Sequence, residues 1–165
     1  MNLASFFFIV TIASKAFATS CTNSNASNLT FYILSSTNDI LTCSTRSPVN
    51  AVLSPYLISK FPDLISIWDS PKDTNIYHCL MTKYFFVPGR LINAVLDGFA
   101  DDTMTIIINE FQVSEFSNTE ICKLQLNKNV SRYIKSGLNK LFIDAYNGGG
   151  KGYFGYRLTI NILLD

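Results

Sequence analysis

Few residues in this chain have the type and spacing to do acid–base or metal chemistry. Asp97, Asp101 and Asp102 fall in one short stretch, with Glu110, Glu115 and Glu120 downstream. A glycosidase needs two carboxylates on opposite sides of one bond, roughly 5 to 10 Å apart and usually from different strands. Adjacent Asp residues in a turn project differently. They suit capping of backbone N–H groups or a structural Ca²⁺ better than hydrolysis, so Asp101 and Asp102 are the candidate Ca²⁺ position and no catalytic residue is assigned. His78 is the only histidine and lies between Tyr77 and Cys79 in a β-prone run. With no placed nucleophile and no third orienting group, no triad can be argued, and a structural role is expected for it.

The run Asn147-Gly148-Gly149-Gly150-Lys151-Gly152 invites comparison with a phosphate loop. It lacks the G-x-x-x-x-G-K-[ST] spacing and leads into a strand, so no helix N-terminus would face a phosphate. Its flanking aromatics are more informative. Sugar sites pair flat rings, which cover the apolar faces of pyranoses, with nearby groups that bond hydroxyls. Tyr146, Asn147, Lys151 and Tyr153 offer both kinds of group at one loop. With the Asp101-Asp102 corner they form the expected ligand rim at one end of the fold.

What must position these residues follows from composition and pattern. The chain has 165 residues, 15% charged and 48% hydrophobic, with a formal charge of +1. That is one domain's worth, and 13 Phe with 8 Tyr supply a real core. Low charge without acidic or basic blocks argues against disorder and against nucleic acid as a partner. Residues 1–18, MNLASFFFIVTIASKAFA, read as a secretory signal peptide ending in the small-x-small pattern Ala16-Phe17-Ala18. The leader departs from the ideal in having no early Lys or Arg and in carrying Lys15 near its end. Its apolar run is too short for a bilayer core of about 30 Å, and no later segment is long enough. A secreted, extracellular protein without membrane insertion after leader cleavage is therefore expected.

The four cysteines, Cys21, Cys43, Cys79 and Cys122, lie far apart and form no CxxC pair. Two disulfides fit an exported protein better than a metal site. Three pairings exist; Cys21 with Cys43 and Cys79 with Cys122 is the expected one, because the first link would tie down the N-terminal arm. Asn25, Asn28 and Asn129 each open an N-x-[ST] sequon, so the protein is expected to be a glycoprotein if its host glycosylates.

β-prone runs are expected at residues 29–34, 39–43, 76–87, 90–96, 103–108, 111–113, 122–126, 140–146 and 153–164. Asp97-Gly98 should close the fourth of these, and Gly155 should break the last one early. Residues 45–55 read as turn-rich, and 57–68 as a loop with a short helical turn, since Pro62 opposes a continuous helix. One helical turn is expected within 130–135, and a two-residue turn at Asn109-Glu110. Short strands separated by turns indicate a β-sandwich.

The order of landmarks carries a resemblance. Ile67-Trp68 is followed by Tyr84-Phe85-Phe86-Val87-Pro88-Gly89, then Ala100-Asp101-Asp102 and Thr105-Ile106-Ile107-Ile108-Asn109. Later come Lys135-Ser136-Gly137-Leu138-Asn139 and Ala145-Tyr146-Asn147-Gly148-Gly149. This resembles the galactose-binding-like jelly-roll modules that accompany many glycoside hydrolases and occur in exported surface proteins, over residues 67–164. Glu110 departs from the pattern, where such modules usually carry Gly. The resemblance implies an antiparallel jelly-roll β-sandwich acting as a non-catalytic binding module, with carbohydrate or an extracellular or surface protein as partner. The alternative is a structural or adhesive surface protein without sugar affinity. Residues 19–66 would supply a lead-in and early strands, and 67–165 the sandwich body, in one domain with 29–66.

Overall fold

The computed structural model describes residues 27–44, 47–55, 64–70 and 76–164. The leader, Cys21, Asn25 and residues 57–63 of the expected loop and helical turn lie outside the described residues, and the end of that stretch, Ile67–Trp68, is strand and not loop. Twelve strands are described: β1 (Ser27–Leu34), β2 (Ile40–Cys43), β3 (Val49–Asn50), β4 (Val52–Leu53), β5 (Ile67–Trp68), β6 (Tyr77–Val87), β7 (Arg90–Asp101), β8 (Thr103–Ile108), β9 (Phe111–Gln112), β10 (Gln125–Asn129), β11 (Gly137–Asn147) and β12 (Tyr153–Leu164). One 3₁₀ turn, Ser131–Tyr133, falls inside the stretch expected to hold a helical turn.

The strands form two antiparallel sheets packed as a sandwich. The first runs β10-β7-β12-β5-β4, with β1 also on β12; the second runs β3-β2-β6-β11-β8-β9. From β6 onward the chain crosses repeatedly between them, so β6, β8 and β11 lie in the second sheet and β7, β10 and β12 in the first. Residues before Ile67 belong to the same body: β1 pairs with β12 from Ser27 opposite Leu164 to Leu34 opposite Arg157, and β2 pairs with β6. Strands β6 and β11 alternate strictly, and β7 from Ala94 and β12 do so outside 96–98 and 154–156. Cys79, Met81, Phe85, Val87, Leu141, Ile143 and Ala145 are buried from the second sheet, against Ala94, Leu96, Phe154, Tyr156, Leu158 and Ile160 from the first.

Several expectations require correction. Cys43 is bonded to Cys79, not to Cys21, and Cys122 is free and exposed. The reason is register: Cys43 and Cys79 stand directly opposite on β2 and β6, both facing inward, with Cα atoms 4.0 Å apart. Strand β7 does not stop at Asp97-Gly98 but continues to Asp101. Asp97 is held in the ladder region by Arg157 of β12 at 2.9 Å and by the Asn127 N–H at 2.7 Å. Gly155 does not break β12. A Cβ there would stand 2.7 Å from Leu64 and 2.8 Å from the Ile65 carbonyl, so the glycine admits the chain segment that crosses over the strand. The turn-rich stretch before Pro55 contains the two-residue strands β3 and β4, and strand β10 starts three residues later than the expected run at Cys122.

The Asn109-Glu110 turn joins β8 to β9, with both residues in the left-handed region at φ 49° and 72°. Asn adopts that geometry readily; Glu does not. The turn is held from below. The Asn109 amide donates to the Tyr133 carbonyl and to Asn139 Oδ1, and its Oδ1 accepts from the Lys140 N–H. Buried Asn139 in turn donates to the carbonyls of Lys135 and Gly137 and accepts from the Lys135 N–H. Two predictions follow from this strain and this network. Glu110→Gly raises stability by about 1 kcal/mol by relieving the left-handed backbone. Asn139→Ala leaves buried backbone groups unpartnered and lowers stability by about 3 kcal/mol. Urea denaturation of the two variants against the parent checks both signs.

Candidate functional site

The alternation that buries one row of β6 and β11 exposes the other. On β6 this outward row is His78, Leu80, Thr82, Tyr84 and Phe86; on β11 it is Leu138, Lys140, Phe142, Asp144 and Tyr146. Register sets Tyr146 beside both His78 and Thr103, and Asp144 beside both Leu80 and Thr105. The polar end of this face forms an open cleft of about 310 Å³ lined by His78, Thr103, Thr105, Asn118, Asp144 and Tyr146. A second depression of about 460 Å³ shares Thr103, Asn118 and Tyr146 with it and adds Asp102, Thr119, Ile121 and Gly148. The two read as one groove running off the sheet face onto the loops at its end.

Within the groove, His78 Nδ1 lies 2.6 Å from Asp144 Oδ1. The His78 ring lies 4.8 Å from that of Tyr146, tilted by 43°. Tyr146 thus has one side braced and its ring half-buried at the groove floor. His78, expected to be structural, is exposed and paired with Asp144. Its neighbours Tyr77 and Cys79 are buried, so strand parity turns His78 to solvent. That parity was present in the sequence and is the signal that finds it. Asp144 carried no motif and comes to the site through register, and Asn118, in the loop before β10, reaches it with its amide donating to the Thr105 hydroxyl at 3.3 Å.

At the corner between β7 and β8, Asp102 does the positional work. Its carboxylate accepts from the Gly148 N–H at 2.6 Å, its own N–H donates to the Tyr146 carbonyl, and its carbonyl accepts from the Cys122 N–H. Gly148 is required for this approach, because a Cβ would stand 2.9 Å from the Asp102 carboxylate and 3.3 Å from the Tyr146 ring. The expected rim is therefore divided. Asp102 and Tyr146 come together on the groove. Tyr153 lies at the same end, opposite Asp101 in the β7–β12 register, but stacks on Phe99 at 5.5 Å on the outer side of the first sheet. Asn147 is buried, with its Oδ1 accepting from Gly149 and its amide donating to the Gly150 carbonyl, so it shapes the loop and does not face a ligand. Lys151 is exposed at the loop tip.

Asp101, Asp102 and Cys122 bring three donor atoms within 4.8 Å of one another. The Cys122 thiol donates to Asp101 Oδ1 at 3.1 Å and lies 3.6 Å from Asp102 Oδ1. Partial burial, these hydrogen bonds and the two nearby carboxylates push the thiol up to about 12. Burial raises the Asp101 carboxyl, opposed by the Cys122 hydrogen bond and reinforced by the charge of Asp102. Ca²⁺ takes oxygen ligands, and a protonated thiol is a poor third partner for a hard cation. The cluster fits a hydrogen-bonded corner better than the Ca²⁺ position expected at Asp101 and Asp102. Of the sequon residues, Asn28 and Asn129 are exposed.

The fold and groove define an all-β, two-sheet sandwich with an open polar face. No family model matches the chain. No curated protein matches it. Among solved structures it is similar to the FMN-binding β-glucuronidase from Facaelibacterium prausnitzii L2-6, at 13% identity and a TM-score of 0.36. The match covers 76% of this chain and 22% of that one, so the chain spans under a quarter of its length.

The Cys122 environment sets a pH-dependent reactivity. A thiol raised to about 12 holds far less thiolate at pH 8 than an ordinary cysteine near 8.5. Alkylation by iodoacetamide at pH 8 is expected to run more than tenfold slower than for free cysteine and to keep accelerating through pH 10. Asp101→Asn removes a carboxylate that opposes thiolate formation, so that variant alkylates faster at pH 8. Mass spectrometry of the Cys122 peptide over time measures both.

Proposed function

We propose that the chain is a secreted, non-catalytic binding module of the jelly-roll, galactose-binding-like type, and that its ligand is a carbohydrate. The repeated crossing between sheets from β6 to β12 supports the jelly-roll reading. The disulfide between Cys43 and Cys79 supports an oxidising, extracellular compartment.

One observation carries the ligand class. Tyr146 presents an aromatic surface in a groove whose other walls are hydrogen-bonding side chains: His78, Asp144, Thr103, Thr105, Asn118 and Asp102. A pyranose has one apolar face and a rim of hydroxyls, and this combination matches it. The sugar would lie on Tyr146, with Asp144 and Asp102 accepting from hydroxyls and Asn118 donating. The open groove leaves much of a ligand in water, so affinity is weak, from tens of micromolar to millimolar. The rival reading, a structural or adhesive surface protein without sugar affinity, draws on the apolar half of the same sheet face.

A glycan array probed with the purified chain, followed by titration of the best hit, tests the proposal. Saturable binding is expected, with Tyr146→Ala weakening it about five- to tenfold, the worth of one aromatic contact. Absence of binding to every glycan at millimolar concentration overturns the carbohydrate reading.

A further inference from the structure

Away from the polar groove, the outward face of the second sheet changes character. Tyr84 is 63% exposed, Phe86 62%, Leu138 60% and Ile40 55%, with Leu80 beside them and half-buried Phe142 and Ile107 completing the area. Register makes them neighbours. Leu138 stands opposite Phe86, Lys140 opposite Tyr84, and Phe142 between Thr82 and Ile107. Such aromatic and aliphatic side chains carry roughly 150–250 Å² each, so the exposed apolar area is on the order of 600 Å². That matches the largest patch of a typical monomer and approaches the roughly 800 Å² per partner of a standard stable interface. Leucine and isoleucine bond no hydroxyls, so this half of the face does not extend the sugar groove.

We propose that this face pairs with the same face of a second copy of the chain. Charge selects the arrangement. Lys140 is the charged side chain in the outward rows of β6 and β11 between Thr82 and Leu138, with Glu110 beside it in the depression it shares with Ile107 and Phe142, and Asp144 lies four positions along the same strand. A two-fold axis at Phe142, with the strands of the two copies antiparallel, sets Lys140 of each copy opposite Asp144 of the other. The same operation sets Tyr84 opposite Leu80 and Leu138 opposite Tyr146. A parallel-row arrangement would set Asp144 against Leu80 and Lys140 against Tyr84, so no opposite charges would meet across the interface and Asp144 would keep only its own His78. Sheets stack at about 10 Å, so Phe142 meets its own copy, Tyr84 meets Leu80, and Phe86 and Leu138 of each copy cover His78 and Tyr146 at the groove end of the other. Because Leu138 of one copy then covers Tyr146 of the other, pairing and occupancy of the groove exclude one another.

The test is sedimentation equilibrium of the purified chain at roughly 10–100 µM, the range in which an interface of this size associates. It is run on a Cys122→Ser background, so that a thiol-linked pair is not mistaken for the apolar one. A concentration-dependent mass of twice the chain is expected. Leu138→Lys, at an exposed position, is expected to give a monomer with an unchanged melting temperature. Lys140→Asp weakens pairing at least tenfold, and Lys140→Asp with Asp144→Lys restores it. A parent monomer throughout the range overturns the proposal, as do open-ended oligomers or a Leu138→Lys variant that still pairs. A monomer that cosediments with phosphatidylcholine vesicles overturns it too, and gives the face to lipid.

Discussion

The two sheets bury their inner faces on one another, and this fixes which residues of β6 and β11 point inward. Cys79, Met81, Phe85 and Val87 interlock with Leu141, Ile143 and Ala145 beneath Tyr156, Leu158 and Phe154. Each buried apolar side chain contributes roughly 1.5–3 kcal/mol relative to exposure, so a one-residue slip would forfeit the whole inner row. Everything on the other face follows from that choice. His78 is brought to Asp144, Tyr146 to His78, and Phe86 to Leu138, because the core admits no other register. The groove and the apolar patch are the solvent side of one packing decision.

The charged pair Lys83 and Asp39, held near this core, is matched across the sheets. Lys83 occupies an inward position of β6, where an apolar residue would be ordinary, and reaches Asp39 at 2.7 Å and the Leu34 carbonyl at 2.8 Å. Tyr156 of the opposite sheet donates to the same Asp39 at 3.2 Å. Burial and the Asp39 charge hold the Tyr156 phenol well above its ordinary range, so it stays protonated as the donor. This three-residue tie joins β6, β12 and the segment before β2, and it does so beside the disulfide strand pair. Two charges removed from water are costly unless their remaining bonds are satisfied. The added bonds, from Ser36 N–H to Asp39 and from Lys83 to Tyr156, supply that satisfaction. The N-terminal strands are thereby tied to the body by charge as well as by ladder.

The long strands were legible because β-branched and aromatic runs with period-two alternation leave few alternatives. What escaped the sequence depended on which strands become neighbours. Cys43 pairs with Cys79 because β2 lies on β6, a fact that loop lengths do not encode. Gly155 reads as a breaker until Leu64 is known to cross over it. Asp97-Gly98 reads as a turn until Arg157 is known to lie alongside. Of the expected ligand residues, Asp102 and Tyr146 meet because both end strands at the same corner. Asn147 was misread because its odd position on β11 turns it inward, a parity that alternation from Leu141 would have revealed. The same parity puts His78 on the outer face, while Asp144 and Asn118 carried no local sign of their place in the groove.

The two outer faces of the sandwich differ in how their outward side chains are occupied. Many polar groups and rings on the first sheet are matched within it, although Tyr32 of β1 is 55% exposed. Thr30 bonds Asn161, which bonds Asn93, across three strands; Arg157 neutralises Asp97; Phe99 and Tyr153 stack on each other. The segment around Leu64 and Ile65 lies over Gly155, anchored by the Ser35 hydroxyl on the Ile65 carbonyl. A surface whose donors, acceptors and rings are already matched gains little from a ligand, because each new contact must first displace an existing one. The second sheet has no such covering among the described residues. Its polar end offers the braced Tyr146 ring and the carboxylates of Asp144 and Asp102, and its other end leaves Tyr84, Phe86 and Leu138 largely in water. Neither end is needed to hold the sandwich together, since the core lies wholly on the other side of the strands. The proposed recognition surface is thus the face whose register was set by packing and whose aromatic and aliphatic side chains packing left exposed.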